Sequence, residues 1–391
     1  LETLPPEVRR HILSVAGLEQ LQALVRASPT FHQQYLCDRR YILCSNLQGA
    51  IGPAVMTALS IYSHDPSKDM PGIVAPNARD QSSQTIWNRL TEDEAVGITG
   101  FYMKYTLPVV RHYSQHIWNN FIGKRSTDQA HECTGSELLR LTRAMYHFHQ
   151  FGQVAGISSR TIEFDDWMSA MDSYIESMTS WEVEEMICVY EFVRATFERT
   201  FDAIRWDVDQ NNPKFDDQHR PPTPDGAFDL AVEGRMYLNG TVLRGLPLLH
   251  TVLFKSHDHE FLVTTMQSHI TRSAISTDGV VGIFSDTDQR RRYKRRPQGL
   301  EEMRRMSPLP FCGDHDISNP PLAWTTIWDG TISYLYGYYT SDESRKWGYV
   351  FWDAETLRSN GGVGLAKQQW MQIWNWRDPC DVIEEACDLM E

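Results

Sequence analysis

Acids beside a tyrosine, spaced imidazoles and a run of cations are the residues of this chain that could do chemistry. The helical stretch from Ser180 to about Trp206 carries Glu184, Tyr190 and Glu191. A tyrosine beside a carboxyl group suits general acid–base work if the carboxyl is desolvated. Glu184, Glu191 and Glu198 recur every seven residues, beside the apolar stripe rather than on it, so they are expected to lie on a solvated helix face. Ligand-like spacings occur at His112-x-x-x-His116, at His257-Asp258-His259 and in Cys312-Gly313-Asp314-His315-Asp316. The first puts two imidazoles on one helix face but lacks the intervening glutamate of zinc peptidases. Asp165, Asp166 and Asp172 make an acidic helix patch without the third aspartate that magnesium-bridging helices use. Each is better read as core or solvated surface, so no metal and no cofactor are expected.

Arg290, Arg291, Arg292, Lys294, Arg295 and Arg296 surround Tyr293. Such a run could grip phosphates while the ring stacks a base, act as a nuclear localisation signal, or stay a solvated loop. The first of these makes tRNA a candidate partner. Gly361 to Lys367 is glycine-rich but lacks the phosphate-loop spacing, which leaves a turn ahead of a helix. No G-x-S-x-G elbow occurs, which disfavours an α/β-hydrolase.

The elements that would hold these residues are mostly helices. Met186, Tyr190, Val193, Phe197, Phe201 and Ile204 recur at three- and four-residue steps and predict the clearest helix of the chain. Leu138, Leu141, Met145 and Phe148 predict another over 135–151, with Ser136 as its cap. The stretch 85–121 reads as helix broken at Pro108, and further helices are expected over 245–254 and 259–272. Residues 64–84 and 207–226 are loop-like, rich in Pro, Asn and Asp. The last third is dense in Trp and Tyr, most of which belong in a core.

Across 391 residues the net charge is −14, which argues against a surface that wraps duplex DNA. Seven cysteines, odd in number and never in a C-x-x-C pair, suit reduced thiols in the cytoplasm or nucleus. No unbroken apolar run has the length of a membrane span and no signal segment opens the residues given, so no membrane partner is expected. The chain opens at Leu1 rather than Met, so a short N-terminal piece is expected to precede it.

Residues 4–47 read as four short helices. Leu4-Pro5-x-Glu7, Ile12-Leu13, the Leu21, Leu24 and Val25 helix, and Ala27-Ser28-Pro29-x-Phe31 carry the pattern. It resembles the F-box, and more closely the F-box-like openers of large families of uncharacterised fungal proteins. Trp181-Glu-Val-Glu-Glu185, Ala323-Trp324-Thr325 and Trp347-Gly-Tyr-Val-Phe-Trp-Asp353 are similar to recurring phrases of those proteins, a looser likeness that extends over most of the chain. The resemblance implies docking on the Skp-type adaptor of a cullin ubiquitin ligase through Leu4, Pro5, Ile12, Leu13, Leu21, Leu24 and Val25. No repeat of fixed period follows the opener.

The expected architecture is mostly α, with a few short strands in the last third. An F-box-like module spans 1–48, a large helical domain with a basic loop at 285–310 spans 49–310, and an aromatic-rich region packed on it spans 311–391. The expected function is a protein-interaction adaptor, the substrate-recruiting subunit of a ubiquitin ligase. The alternative is a fungal biosynthetic enzyme with a vestigial opener, such as an aminoacyl-tRNA-dependent transferase of the cyclodipeptide synthase type.

Overall fold

A computed structural model of the chain describes residues 1–63, 87, 89–123, 131–155, 164–208, 212–213, 234–256, 258–271, 273, 310–328 and 336–374. The described residues are mostly helical and include no strand. The basic run 290–296 and the loop 64–84 lie outside them.

The opener consists of α1 (Pro6–Val15), α2 (Leu18–Ala27), α3 (Pro29–Cys37) and α4 (Arg39–Ile51). Gly17, at φ 81°, makes the turn between α1 and α2 in a conformation that a side chain disfavours. Ser28 caps α3, its Oγ accepting from the Phe31 N–H at 3.3 Å, with Pro29 at the first helical position. Leu13, Leu21, Phe31, Ile42, Leu43 and Leu47 are buried together. Asn46 Nδ2 donates to the Leu13 carbonyl at 2.8 Å and ties α4 to the end of α1.

This core continues past the opener. After Gly52 and Pro53 the chain resumes as α5 (Val55–Ser63), and Val55, Ala58, Ile98, Tyr102 and Tyr146 join the same apolar cluster. The stretch Arg39–Ser63 is apolar and long enough to cross a membrane by length and composition, yet Ile42, Leu43, Leu47, Ile51 and Val55 are buried against protein.

A capping box opens α6 (Glu92–Phe101): Thr91 Oγ1 accepts from the Glu94 N–H and the Glu94 carboxylate accepts from the Thr91 N–H at 2.7 Å. A π-helical turn, Tyr102–Thr106, leads directly into α7 (Leu107–Ile122). The break expected at Pro108 therefore falls just before it. Proline has no N–H for the carbonyl one turn back, and the wider turn ahead of it accommodates that loss.

The centre of the molecule is α8 (Gly135–Ala155) packed on α10 (Ser180–Val208), with α9 (Phe164–Glu176) between them in sequence. The stripe Met186, Tyr190, Val193, Phe197, Phe201 and Ile204 is wholly buried, as its spacing predicts. Among the described residues α11 (Gly234–Val242), α12 (Leu246–Phe254) and α13 (His259–His269) follow. The C-terminal part adds the short α14 (Leu322–Ile327), α15 (Asp342–Lys346) and α16 (Ala354–Ser359), and the longer α17 (Gly362–Trp374). Its aromatics are core: Trp324, Trp328 and Trp352 are fully buried, and Phe121 of α7 stacks on Trp347 at 4.8 Å.

Gly245 connects α11 to α12 at φ 72°, and a Cβ there would lie 2.1 Å from His149 Nδ1. That ring nitrogen accepts from the Leu246 N–H at 3.4 Å. Gly245→Ala should therefore combine backbone strain with a clash and cost about 2 kcal/mol or more in urea unfolding followed by circular dichroism.

Candidate functional site

Charge is concentrated where α8, α10 and the C-terminal segment meet. Arg140 and Arg143 lie three residues apart on α8 and so share a face. Arg140 Nη1 donates to Asp353 Oδ1 and its Nη2 to Asp314 Oδ1, each at 2.7 Å. Arg143 grips Glu185 through Nε at 3.0 Å and Nη2 at 2.7 Å, while its Nη1 reaches Glu182 at 3.0 Å and the Ile317 carbonyl at 2.8 Å. Arg345 Nε donates to Glu184 Oε1 at 2.6 Å, its Nη1 to Asp342 at 2.6 Å and its Nη2 to the Gly337 carbonyl. Three guanidinium groups buried in this way meet six carboxylates.

The electrostatics favour the charged forms of Arg143, Arg345 and Glu182, whereas burial pushes the Glu185 carboxyl up to about 7 despite Arg143. Burial opposes the charge on Arg143, but Glu185 and Glu182 outweigh it and its pKa is raised. Burial likewise opposes the Arg345 charge, and Glu184 overrides it. Burial would also raise the Glu182 pKa, yet Arg143, His147 and hydrogen bonds from Thr179 bring it below the usual value. The first turn of α10 contributes too, because the backbone there is electropositive and favours the acids.

The solvated face expected for Glu184 is corrected here. Glu184 is fully buried, whereas Glu191 is half-buried and Glu198 more exposed still. The heptad spacing is real, but residues 337–349 cover the start of α10 on the side where solvent was expected. Both Glu184 oxygens are engaged, Oε1 by Arg345 and Oε2 by the Gly337 N–H at 2.9 Å. Glu191 pairs with Arg194 at 3.4 Å, and burial raises its pKa. The Tyr190 hydroxyl donates to Asn239 Oδ1 at 3.3 Å inside the core. The three side chains share a helix but point to three different sets of partners.

The other sequence candidates resolve one by one. His112 and His116 pack on Phe192 of α10 with ring centroids 6.1 and 5.1 Å apart, and burial lowers both pKa values. His259 pairs with Asp207 at 2.6 Å, while His257 lies outside the described residues. The Cys312 thiol is exposed, and Asp314 serves Arg140 and the Ala354 N–H. Asp172 is half-buried on α9, and the side chains of Asp165 and Asp166 lie outside the described residues. The cap expected from Ser136 comes from Thr134 instead. Its Oγ1 accepts from the Glu137 N–H and Glu137 Oε2 accepts from the Thr134 N–H at 3.0 Å, while Ser136 donates to Asp353.

On the opener, Leu13 and Leu21 belong to its own core, and Ile12, Leu24 and Val25 are half-buried against it. Leu4 is half-buried and Pro5 exposed. Val8 and Val15, 42% and 66% exposed, flank Ile12 on one face of α1, and Leu36 of α3 is 50% exposed. An open groove beside them is lined by Arg9, Pro29, Thr30, Gln33, Gln34 and Cys37. The opener is held to the body by Arg111 of α7, which makes a two-pronged contact with Glu19 at 2.7 and 2.5 Å.

No family model, curated protein or solved structure compared with this chain matches it.

One grouping escaped the sequence reading. His131, Cys133 and Glu137 bring ligand atoms within 4.8 Å of one another at the start of α8. Burial, followed by the Glu137 charge, pushes the Cys133 thiol up to about 11, so the free side chain is a thiol and not a nucleophile. The spacing His-x-Cys-x-x-x-Glu was visible, but it matches no motif with a stated mechanism.

Removing one partner of a buried pair leaves the other charge stranded, so Arg345→Met alone should cost about 3–5 kcal/mol in chemical unfolding. Arg345→Met combined with Glu184→Leu should recover most of that loss, the double-mutant cycle reporting strong coupling. A second prediction concerns pH. Burial holds the His147 imidazole neutral, with its pKa lowered to about 4 against 6.5 in the unfolded chain. Between those values the unfolded chain binds the extra proton, so stability present above about pH 6.5 is lost as pH falls towards 4, by up to about 3 kcal/mol. The Glu185 carboxyl, raised to about 7, pulls the opposite way over the same window, so the His147 slope should appear in the difference between the wild-type and His147→Leu unfolding free energies.

Proposed function

We propose that the chain is a protein-interaction adaptor whose opener docks on a Skp-type adaptor of a cullin ubiquitin ligase, with the rest of the molecule presenting a target-binding surface. One observation carries this reading. The opener completes its own core with Leu13, Leu21 and Phe31, and still leaves Val8 and Val15 of α1 and Leu36 of α3 facing solvent. An isolated exposed valine needs no explanation, but an apolar row at four- and three-residue steps along one helix, Val8, Ile12 and Val15, suits a partner helix. The contact residues of the proposal are therefore Leu4, Pro5, Val8, Ile12 and Val15, with Leu24 and Val25 supporting them from behind. Leu13 and Leu21 support the fold of the docking face and do not form it.

The enzyme reading draws less from the geometry. Glu184, its best buried acid, is neutralised by Arg345 and has both oxygens occupied. The basic run that would meet tRNA lies outside the described residues.

The purified chain mixed with a Skp-type adaptor should co-elute at equal stoichiometry in size-exclusion chromatography. Val8→Asp with Val15→Lys should abolish co-elution and leave the circular dichroism unchanged. Each new charge is placed at the helix end whose dipole favours it, so the helix itself is not penalised. Separate elution of the wild-type chain overturns the proposal and turns attention to tRNA and small-molecule assays.

A further inference from the structure

We infer that His131, Cys133 and Glu137 form a zinc-binding site at the start of α8. The three donors are an imidazole, a thiol and a carboxylate, the nitrogen, sulfur and oxygen set that zinc accepts. With the thiol ionised, the two anionic ligands carry two negative charges and balance the dication, which suits a partly buried position.

The surroundings orient the donors in advance. The His131 ring stacks on Trp118 at 4.3 Å and meets Trp352 edge-on at 5.2 Å, so its plane is fixed. Glu137 is fully buried, and its Oε1 accepts from the Asp353 N–H at 3.0 Å. Asp353 is itself anchored by Arg140 at 2.7 Å and by the hydroxyls of Thr134 and Ser136. A carboxylate with that outer support keeps its orientation when a ligand changes.

The geometry requires little movement. His131 Nε2 and Glu137 Oε2 are 2.8 Å apart, the distance of an imidazole N–H donating its proton to a carboxylate. Replacing that proton with zinc opens the pair to about 3.3 Å, the edge of a tetrahedron with bonds of about 2.0–2.1 Å. Drawing Cys133 Sγ into bonding range then asks for a shift of about 1 Å in the irregular segment before α8. Glu137 keeps its capping contact with the Thr134 N–H, and a water molecule completes four ligands. In the balanced exchange the thiol proton leaves to solvent, the His131 ring gives up its Nε2 proton and takes one at Nδ1 so that it binds as the neutral imidazole, and Zn²⁺ enters; nothing is oxidised or reduced.

Without zinc the same three residues would be a capping box with a histidine laid on its carboxylate, and the two readings differ in a spectrum. The full chain, stripped with a chelator and desalted, is titrated with Co²⁺ and then with Zn²⁺. The expected result is one Co²⁺ per chain, a thiolate-to-cobalt charge-transfer band, and loss of that band when Zn²⁺ displaces the cobalt. Cys133→Ser should remove the band and weaken Zn²⁺ binding at least about 100-fold. A chain with Cys37, Cys312, Cys380 and Cys387 all replaced by Ser, which lacks the thiols exposed among the described residues and the two outside them, should keep both properties. His131→Gln supplies a second reading should Cys133→Ser fail to fold. Absence of the band in the wild-type chain overturns the site, as does a band that survives Cys133→Ser or disappears with those other thiols.

Discussion

Everything near the centre of this molecule depends on satisfying three buried guanidinium groups. Arg140, Arg143 and Arg345 cannot lose their protons, so each must be surrounded by acceptors or left unfolded in water. The acceptors come from the start of α10 (Glu182, Glu184 and Glu185) and from Asp314, Ile317, Gly337, Asp342 and Asp353, far in the chain from the two arginines on α8. Ion pairs of this kind contribute little net stability compared with apolar packing, but they are intolerant of misplacement. They specify one arrangement of helices over others that would bury a similar apolar area.

That constraint explains what was legible beforehand. The apolar rows of α8 and α10 repeat locally, and they were readable because a helix places residues three and four apart on one side. The opener was readable for the same reason. Glu184 was misplaced because its environment is set by Arg345, a partner 161 residues away. A heptad of acids predicts a shared face and is silent on what covers it. The cap of α8 was misassigned by two residues, since Thr134-x-x-Glu137 satisfies the capping box and Ser136 serves Asp353.

Of the candidate chemistry, two of the signals that rested on spacing lead, among the described residues, to packing and pairing. His112 and His116 became aromatic neighbours of Phe192, and His259 found Asp207. The grouping of His131, Cys133 and Glu137 arose where no familiar spacing pointed, because an irregular segment folds back over the first turn of α8. The exposed row on α1 was half legible: Ile12 was singled out by its place in the motif, whereas Val8 and Val15, exposed on either side of it, belong to no motif.

Tyr146 sits on α8 yet belongs to the core that the opener, α5 and α6 build, while its neighbours Met145 and Phe148 belong to the central core. A single helix is thus a wall common to two interiors. During synthesis the opener leaves the ribosome first but lacks part of its interior until residue 146 has followed. Its earliest compact form must therefore be incomplete, with apolar surface open towards the missing wall. A vectorially made chain of this design exposes the same helices to chaperones, and to any partner that recognises them, before the body exists to hold them.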